Sequence, residues 1–262
     1  MSQHIITLLT DFGSRDAFVG VMKGVMLDVN PSVAFVDLSH EVPPQDILAG
    51  ALILRSAASF FPPGTIHLAV VDPGVGSSRR ALLVETPRAF FVGPDNGLLS
   101  LAAPADAVTR LIYLTNEQYF LTLRSQTFHG RDVFAPVAAH LSRGVPPERF
   151  GDTISNMERL ALPSVERRAS GLTGNVIYID HFGNIITNIT EADVRLFPTD
   201  TLLVSINSMQ IRGMQSSYAA VEVGAPVAII NSWGLMEIAV RNGSAAQHLA
   251  IHLGHPVHLS SL

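Results

Sequence analysis

Short apolar runs alternate with amphipathic stretches through roughly the first 160 residues, the pattern of an α/β fold with a mainly parallel sheet covered on both faces. Ile5 to Thr10 is a compact run of Ile, Leu and Thr, read as a buried strand that ends at Asp11-Phe12-Gly13. Phe18, Met22, Val25, Met26 and Val29 recur at helical spacing, and Asn30-Pro31 stops that helix. Val33 to Leu38 predicts the next strand. Asp46 to Phe60 predicts a second amphipathic helix, closed by Pro62-Pro63-Gly64. Thr65 to Val71 predicts a third strand, capped by Asp72. Ala81 to Glu85 and Ala89 to Val92 read as a strand pair around Pro87, and Pro94-Asp95-Asn96-Gly97 as a turn. Asp132 to Leu141 reads as a helix that closes this half, with Gly144 after it.

Leu162 to Gly171 is polar, holds Pro163 and carries Glu166, Arg167 and Arg168, so it reads as a linker. Beyond it the pattern changes. Val176 to Ile179, Thr201 to Ile206, Val227 to Ile230 and Met236 to Val240 are strand-like and separated by Gly, Asn and Ser. The expectation is an N-terminal α/β domain over residues 1–163 and a smaller C-terminal all-β, barrel-like domain over residues 172–262.

Composition narrows the class. Of 262 residues, 47% are hydrophobic and only 15% charged, which suits a large core and a buried subunit interface. The net charge is −5 and no basic run occurs, so nothing points to nucleic acid. There is no Cys, which excludes disulfides, thiolate catalysis and Cys-ligated metals. No apolar run approaches ~18 residues, so no membrane span is expected. The opening Met1-Ser2-Gln3-His4 lacks the features of a leader, and the expectation is a cytoplasmic protein.

Two polar islands stand at the ends of apolar runs: Asp72-Pro73-Gly74-Val75-Gly76 with Arg79 just beyond, and Thr127-Phe128-His129-Gly130-Arg131-Asp132. Ligands of open α/β sheets bind at the carboxyl ends of strands, and an Asp, an Arg and a His meeting there can position a water and take its proton. Pro73 keeps Asp72 extended, and the glycines allow close approach of backbone. The plain alternative is a turn with a surface Asp, beside a His that merely packs. Asp11, at the end of the first strand, suits either a ribose ligand or an ordinary loop carboxylate. Asp180-His181-Phe182-Gly183-Asn184 suits either an amine-and-ring grip or a hairpin turn. Asn231-Ser232-Trp233-Gly234 and Arg241-Asn242-Gly243 are similar loops. His248, His252, His255 and His258 resemble a metal cluster by count, but the strand-like alternation scatters them and no carboxylate completes a set, so no metal is expected. No Gly-x-Ser-x-Gly elbow occurs.

Taken in order, these segments resemble one family. Thr10-Asp11-Phe12-Gly13, Phe18-Val19-Gly20-Val21-Met22-Lys23-Gly24, Val71 to Gly76 with Arg79, Gly93-Pro94-Asp95-Asn96-Gly97, Thr127 to Asp132, Asp180 to Asn184 and Arg241-Asn242 are similar to the S-adenosyl-L-methionine (SAM) hydrolases, or SAM hydroxide adenosyltransferases, relatives of the fluorinases and chlorinases. The resemblance runs from Thr10 to Gly243. It implies hydrolysis of SAM to adenosine and L-methionine, with SAM as substrate and no cofactor. It also implies a homotrimer whose site lies between the N-terminal domain of one subunit and the C-terminal domain of its neighbour. Asp72, Arg79 and His129 fall on the family's water-activating set, and Asp11 on its ribose ligand. Asp180 falls on the group that holds the methionine amine, Asn184 on an adenine contact, and Ser232 near the methionine carboxylate. Arg241, Asn242 and Gly243 fall on the adenine-side loop, and Phe128 and Phe182 on wall residues. The halogenases carry other residues around the Asp72 and His129 positions; a carboxylate there repels halide and favours water. The alternatives are a SAM-dependent halogenase, a SAM- or adenosine-binding protein without significant turnover, and, more remotely, a methyltransferase.

Overall fold

The computed structural model describes residues 4–169, 171–198 and 201–261. Of the opening segment read for a leader, Met1–Gln3 lie outside the described residues. The chain divides into two compact units, residues 1–160 and 161–262. Among the described residues, no helix is long and apolar enough to cross a membrane.

The first unit runs β1 (Ile5–Thr10), α1 (Phe18–Val29), β2 (Ala34–Ser39), α2 (Ile47–Ala58), β3 (Thr65–Val70), β4 (Ala81–Glu85), β5 (Ala89–Pro94), β6 (Arg110–Leu114), α3 (Ala135–Ser142) and β7 (Gly151–Thr153). These strands form one sheet in the order β2-β1-β3-β5-β4-β6-β7. Pairing is parallel from β2 through β1 and β3 to β5, then antiparallel through β4, β6 and β7. The sheet is therefore mixed, parallel on the side that carries the βα crossovers. Ile6, Leu8, Leu68 and Val92 join Met22, Met26, Phe134 and Val137 in one buried cluster, so α1 and α3 cover that face. On the other face α2 lies so close that a Cβ on Gly50 would come within 2.8 Å of Leu98. Opposite faces for α1 and α2 are what right-handed crossovers from β1 to β2 and from β2 to β3 require. Asp46 caps α2 by accepting the Ala49 N–H at 2.9 Å.

The helix expected to start at Asp132 differs. A π-helical turn over Gly130–Phe134 precedes α3. Pro136 has no N–H to give the Asp132 carbonyl, so that oxygen accepts the Leu121 N–H instead, at 2.9 Å.

The second unit runs β8 (Glu166–Arg168), β9 (Gly171–Ile179), β10 (Ile185–Thr190), α4 (Glu191–Val194), β11 (Leu202–Ile206), β12 (Met209–Arg212), β13 (Pro226–Ile230), β14 (Leu235–Val240), α5 (Ala245–Leu249) and β15 (Pro256–Ser261). The ladder order is β12-β11-β15-β9-β10-β14-β13, antiparallel throughout, with β8 attached to β9. Just past β12, Gln215 bridges Ile229 of β13 and its N–H reaches the Ala228 carbonyl at 2.8 Å, so the sheet nearly closes into a barrel. Val176, Ile185, Val204, Met236, Ile238 and Val257 fill its interior. The segment read as a linker, Leu162 to Gly171, holds β8, which pairs with β9 and whose Arg167 also donates to the buried Asp193 carboxylate; Ser170 lies outside the described residues.

Candidate active site

The first strand ends to note are those of β1 and β3, neighbours in the parallel half of the sheet. Asp72 follows β3 by two residues. The preceding Val71 is fully buried, and its carbonyl accepts Asn96 Nδ2 at 2.8 Å, which pins the strand end. The loop then turns on Gly76, at φ +79°, where a Cβ would lie 2.5 Å from the Gln126 carbonyl oxygen. Only a glycine allows this approach, and it carries the Asp72 loop against the segment leading into His129.

Arg79 joins the two. Its Nε donates to Asp72 Oδ1 at 2.9 Å and Oδ2 at 3.1 Å. Its Nη2 donates to Asp72 Oδ2 at 2.5 Å and reaches His129 Nδ1 at 2.8 Å. One guanidinium nitrogen thus bridges carboxylate and imidazole, its two hydrogens divided between them. The side chains are only 5% exposed for Asp72 and 10% for Arg79. The guanidinium carbon also sits 5.3 Å over the Phe134 ring.

The bridge fixes a tautomer. Arginine has donors only, so His129 Nδ1 must accept, and the proton of the neutral ring sits on Nε2. Burial holds this imidazole below the ordinary histidine value, and the Arg79 charge pushes the same way against the opposing pull of Asp72 and Asp132. Asp72 is therefore placed to accept hydrogen bonds and His129 to donate one through Nε2.

The His129 turn is anchored by Asp132, which is fully buried. Its Oδ2 accepts the Ser125 N–H at 2.7 Å, and Arg131 Nε donates to Oδ1 at 2.5 Å. The Arg131-Asp132 pair is thus a brace for the loop before His129. Phe128 stacks edge-on with Phe12 and Phe18 at centroid distances of 5.8 and 5.4 Å, which places the Asp11 loop beside the His129 turn.

Asp11 Oδ2 accepts the Gln45 N–H at 2.8 Å, and Gln45 sits at φ +66°, a left-handed conformation unusual for a residue with a side chain. Behind it runs a polar chain that sequence reasoning did not find. Thr10 Oγ1 contacts His40 Nδ1 at 2.9 Å, His40 Nε2 lies 3.0 Å from Asp37 Oδ1, and Lys23 Nζ lies 2.7 Å from Asp37 Oδ2. The available signal was a polar Asp37-Leu38-Ser39-His40 end on an otherwise apolar strand.

In the second unit, Asp180 to Asn184 is the hairpin turn between β9 and β10. Asp180 Oδ1 accepts the N–H groups of Phe182 and Asn184 at 2.9 and 2.8 Å, and Oδ2 accepts Asn184 Nδ2 at 2.8 Å. The turn orients the carboxylate and leaves Phe182 72% exposed at its tip. Asp180 and Ser232 line a cavity of about 400 Å³ together with Tyr218, Trp233 and Glu237. Arg241 Nη1 donates to the Val221 carbonyl at 2.6 Å, a contact that holds the loop. Asn242 is at φ +58°, and the Val240–Gly243 bridge closes this turn. Among the described residues no group of His, Asp and Glu is arranged to hold a metal; His255 contacts Asn207 and His258 contacts Thr173, each at the distance of an ordinary hydrogen bond.

The first unit is thus a mixed α/β sheet with an Asp–Arg–His cluster at a strand end, and the second a nearly closed antiparallel barrel bearing a polar cavity. Comparison with known proteins gives the family. The model of the SAM hydroxide adenosyltransferase N-terminal domain matches residues 6–151, and that of the C-terminal domain matches residues 174–258. The chain belongs to the SAM hydroxide adenosyltransferase family. It is 40% identical to an (R)-S-adenosyl-L-methionine hydrolase of Thermus thermophilus, over 97% of this chain and 98% of that protein. A fluorinase of an Actinoplanes species is more distant, 28% identical over 90% of each chain. A crystal structure of an uncharacterized conserved protein from Thermotoga maritima superposes with a TM-score of 0.90 at 36% identity, covering 97% of this chain and 99% of that one.

Proposed function

We propose that this protein hydrolyses S-adenosyl-L-methionine to adenosine and L-methionine, by in-line attack of water on the ribose C5′. The observation that carries the reading is the single Arg79 nitrogen shared by Asp72 and His129. It supports a cradle in which a water meets one acceptor and one donor.

In this account Asp72 takes a hydrogen of the water while His129 Nε2–H donates to its oxygen. The oxygen forms its bond to C5′ as the C5′–S bond breaks, and the bonding pair stays on sulfur. The leaving group is a neutral thioether and needs no acid. The proton of the water passes to Asp72 and then to solvent. Negative character on oxygen approaches positive sulfur, so charge is annihilated in the transition state, and a dry pocket strengthens that gain. Asp11 holds the ribose hydroxyls and Phe128 walls the sugar. Asp180 holds the amine and Ser232 the carboxylate of the methionine half. Asn184, Phe182 and the Arg241-Asn242-Gly243 loop border the adenine. Anchoring both ends turns remote binding into alignment at C5′.

The name of the Thermus thermophilus relative specifies the R form, and we extend that preference at sulfonium to this chain. The protein works without a cofactor as a cytoplasmic homotrimer, with sites shared between neighbouring subunits. Incubation of each SAM epimer with excess chloride tests the reading. Adenosine and methionine are the expected products. Accumulation of 5′-chloro-5′-deoxyadenosine supports a halogenase, S-adenosylhomocysteine a methyltransferase, and tight binding without any product a sensor.

A further inference from the structure

Glu237 lies in the middle of β14 and is only 3% exposed, yet among the described residues its carboxylate has no cation beside it. Its Oε1 accepts the Tyr218 hydroxyl at 2.7 Å and its Oε2 accepts Asn231 Nδ2 at 3.2 Å, both neutral donors. The cavity of about 400 Å³ that it lines is also bordered by Asp180, Asn231, Ser232 and Trp233, and none of its lining residues is basic. A buried carboxylate without a cation is costly, so a cavity that keeps one has electrostatic room for a positive ligand. We propose that Glu237 is a specificity-determining residue that, with Asp180, receives the α-ammonium group of an amino-acid ligand and makes the cationic amine a requirement for binding. This rests on the reading of the cavity as the methionine end of the substrate site.

The surroundings agree. Burial pushes the Glu237 carboxyl above the ordinary range, the nearby Asp180 charge adds to this, and the Tyr218 and Asn231 hydrogen bonds oppose it. Burial, then the Glu237 carboxylate, likewise pushes the Tyr218 hydroxyl up, so it stays a donor. The flanking strands place Ile186 of β10 and Ile229 of β13 opposite Glu237, which among the described residues leaves Tyr218 and Asp180 as the titratable groups acting on it. An arriving ammonium stabilises the ionised form, so binding at mildly acidic pH releases a proton from Glu237.

The test is titration calorimetry of the full chain with L-methionine and with its 2-hydroxy analogue, in two buffers of different ionisation heat. The wild type is expected to prefer L-methionine by at least ~10-fold and to release a fraction of a proton on binding it. Glu237→Gln loses both the preference and the release. Tyr218→Phe keeps the preference, and its proton release moves to higher pH because the ionised carboxylate has lost a donor. Equal weakening of both ligands in Glu237→Gln, an unchanged preference in it, or no preference in the wild type overturns the proposal. Adenosine release from SAM by the same preparations is read separately: release alongside any of those three results removes the role of Glu237 and leaves the hydrolase reading standing.

Discussion

Replacing Arg79 with Gln probes stability, ionisation and chemistry at one atom. The change removes three contacts to Asp72 and one to His129. With side-chain exposures of 5% and 10%, this ion pair is nearly buried, and breaking such a pair from one side costs about 3–5 kcal/mol. We expect the lower end, ~3 kcal/mol, because the guanidinium keeps some contact with solvent. At roughly 2–4 °C per kcal/mol for a unit of this size, Tm falls by about 6–12 °C. His129 loses a cation that holds it down while Asp72 still pulls it up, so its titration moves to higher pH. Urea unfolding gives the first quantity, and NMR of labelled histidine, assigned with a His129→Gln protein, gives the second. The double variant Asp72→Asn/Arg79→Gln should lose less stability than the two single losses added, by about 1 kcal/mol or more. A loss below about 1 kcal/mol together with an unmoved His129 titration refutes a buried bridge.

Asp72→Asn keeps the shape but removes the acceptor, and should lower kcat by ~10²-fold or more with little change in KM, read by adenosine release. Gly76→Ala forces a side chain to within 2.5 Å of the Gln126 carbonyl at φ +79°, so it should lower kcat and shift the His129 imidazole resonance with Asp72, Arg79 and His129 all present. His67, fully buried and held down to about 4 by burial, must take up a proton on unfolding between there and its ordinary value of 6.5. Stability is thus full above pH 6.5 and falls by about 3 kcal/mol as pH drops towards 4. His67→Phe should flatten that slope in urea unfolding at several pH values.

Much of the first unit was legible because its strands are short apolar runs that end abruptly in polar residues. The run from Ile66 to Val71 is almost wholly buried, and its polar end is Asp72. The π-turn at Gly130 was hidden because it arises from a missing donor at Pro136 and a distant N–H at Leu121, which local periodicity does not carry. β8 was hidden because an exposed strand of Glu and Arg has no apolar alternation to read. In the candidate site, Asp72 and His129 were visible as polar residues beside glycine-bearing turns, and the set with Arg79 was what the family resemblance implied. His40, Asp37 and Glu237 were not visible, since each gains its meaning from a partner in another element: Thr10 and Lys23 for the first two, Tyr218 for the third. The hydrogen-bond direction at Asp72 and His129 needed the Arg79 bridge, which no spacing encodes.

Turnover of S-adenosyl-L-methionine in ¹⁸O-labelled water, followed by mass spectrometry of both products, is the most direct measurement. Displacement at carbon by a water held on Asp72 and His129 predicts one heavy oxygen in the adenosine 5′-hydroxyl and none in methionine. Unlabelled adenosine, or label carried by the amino-acid product, would contradict it.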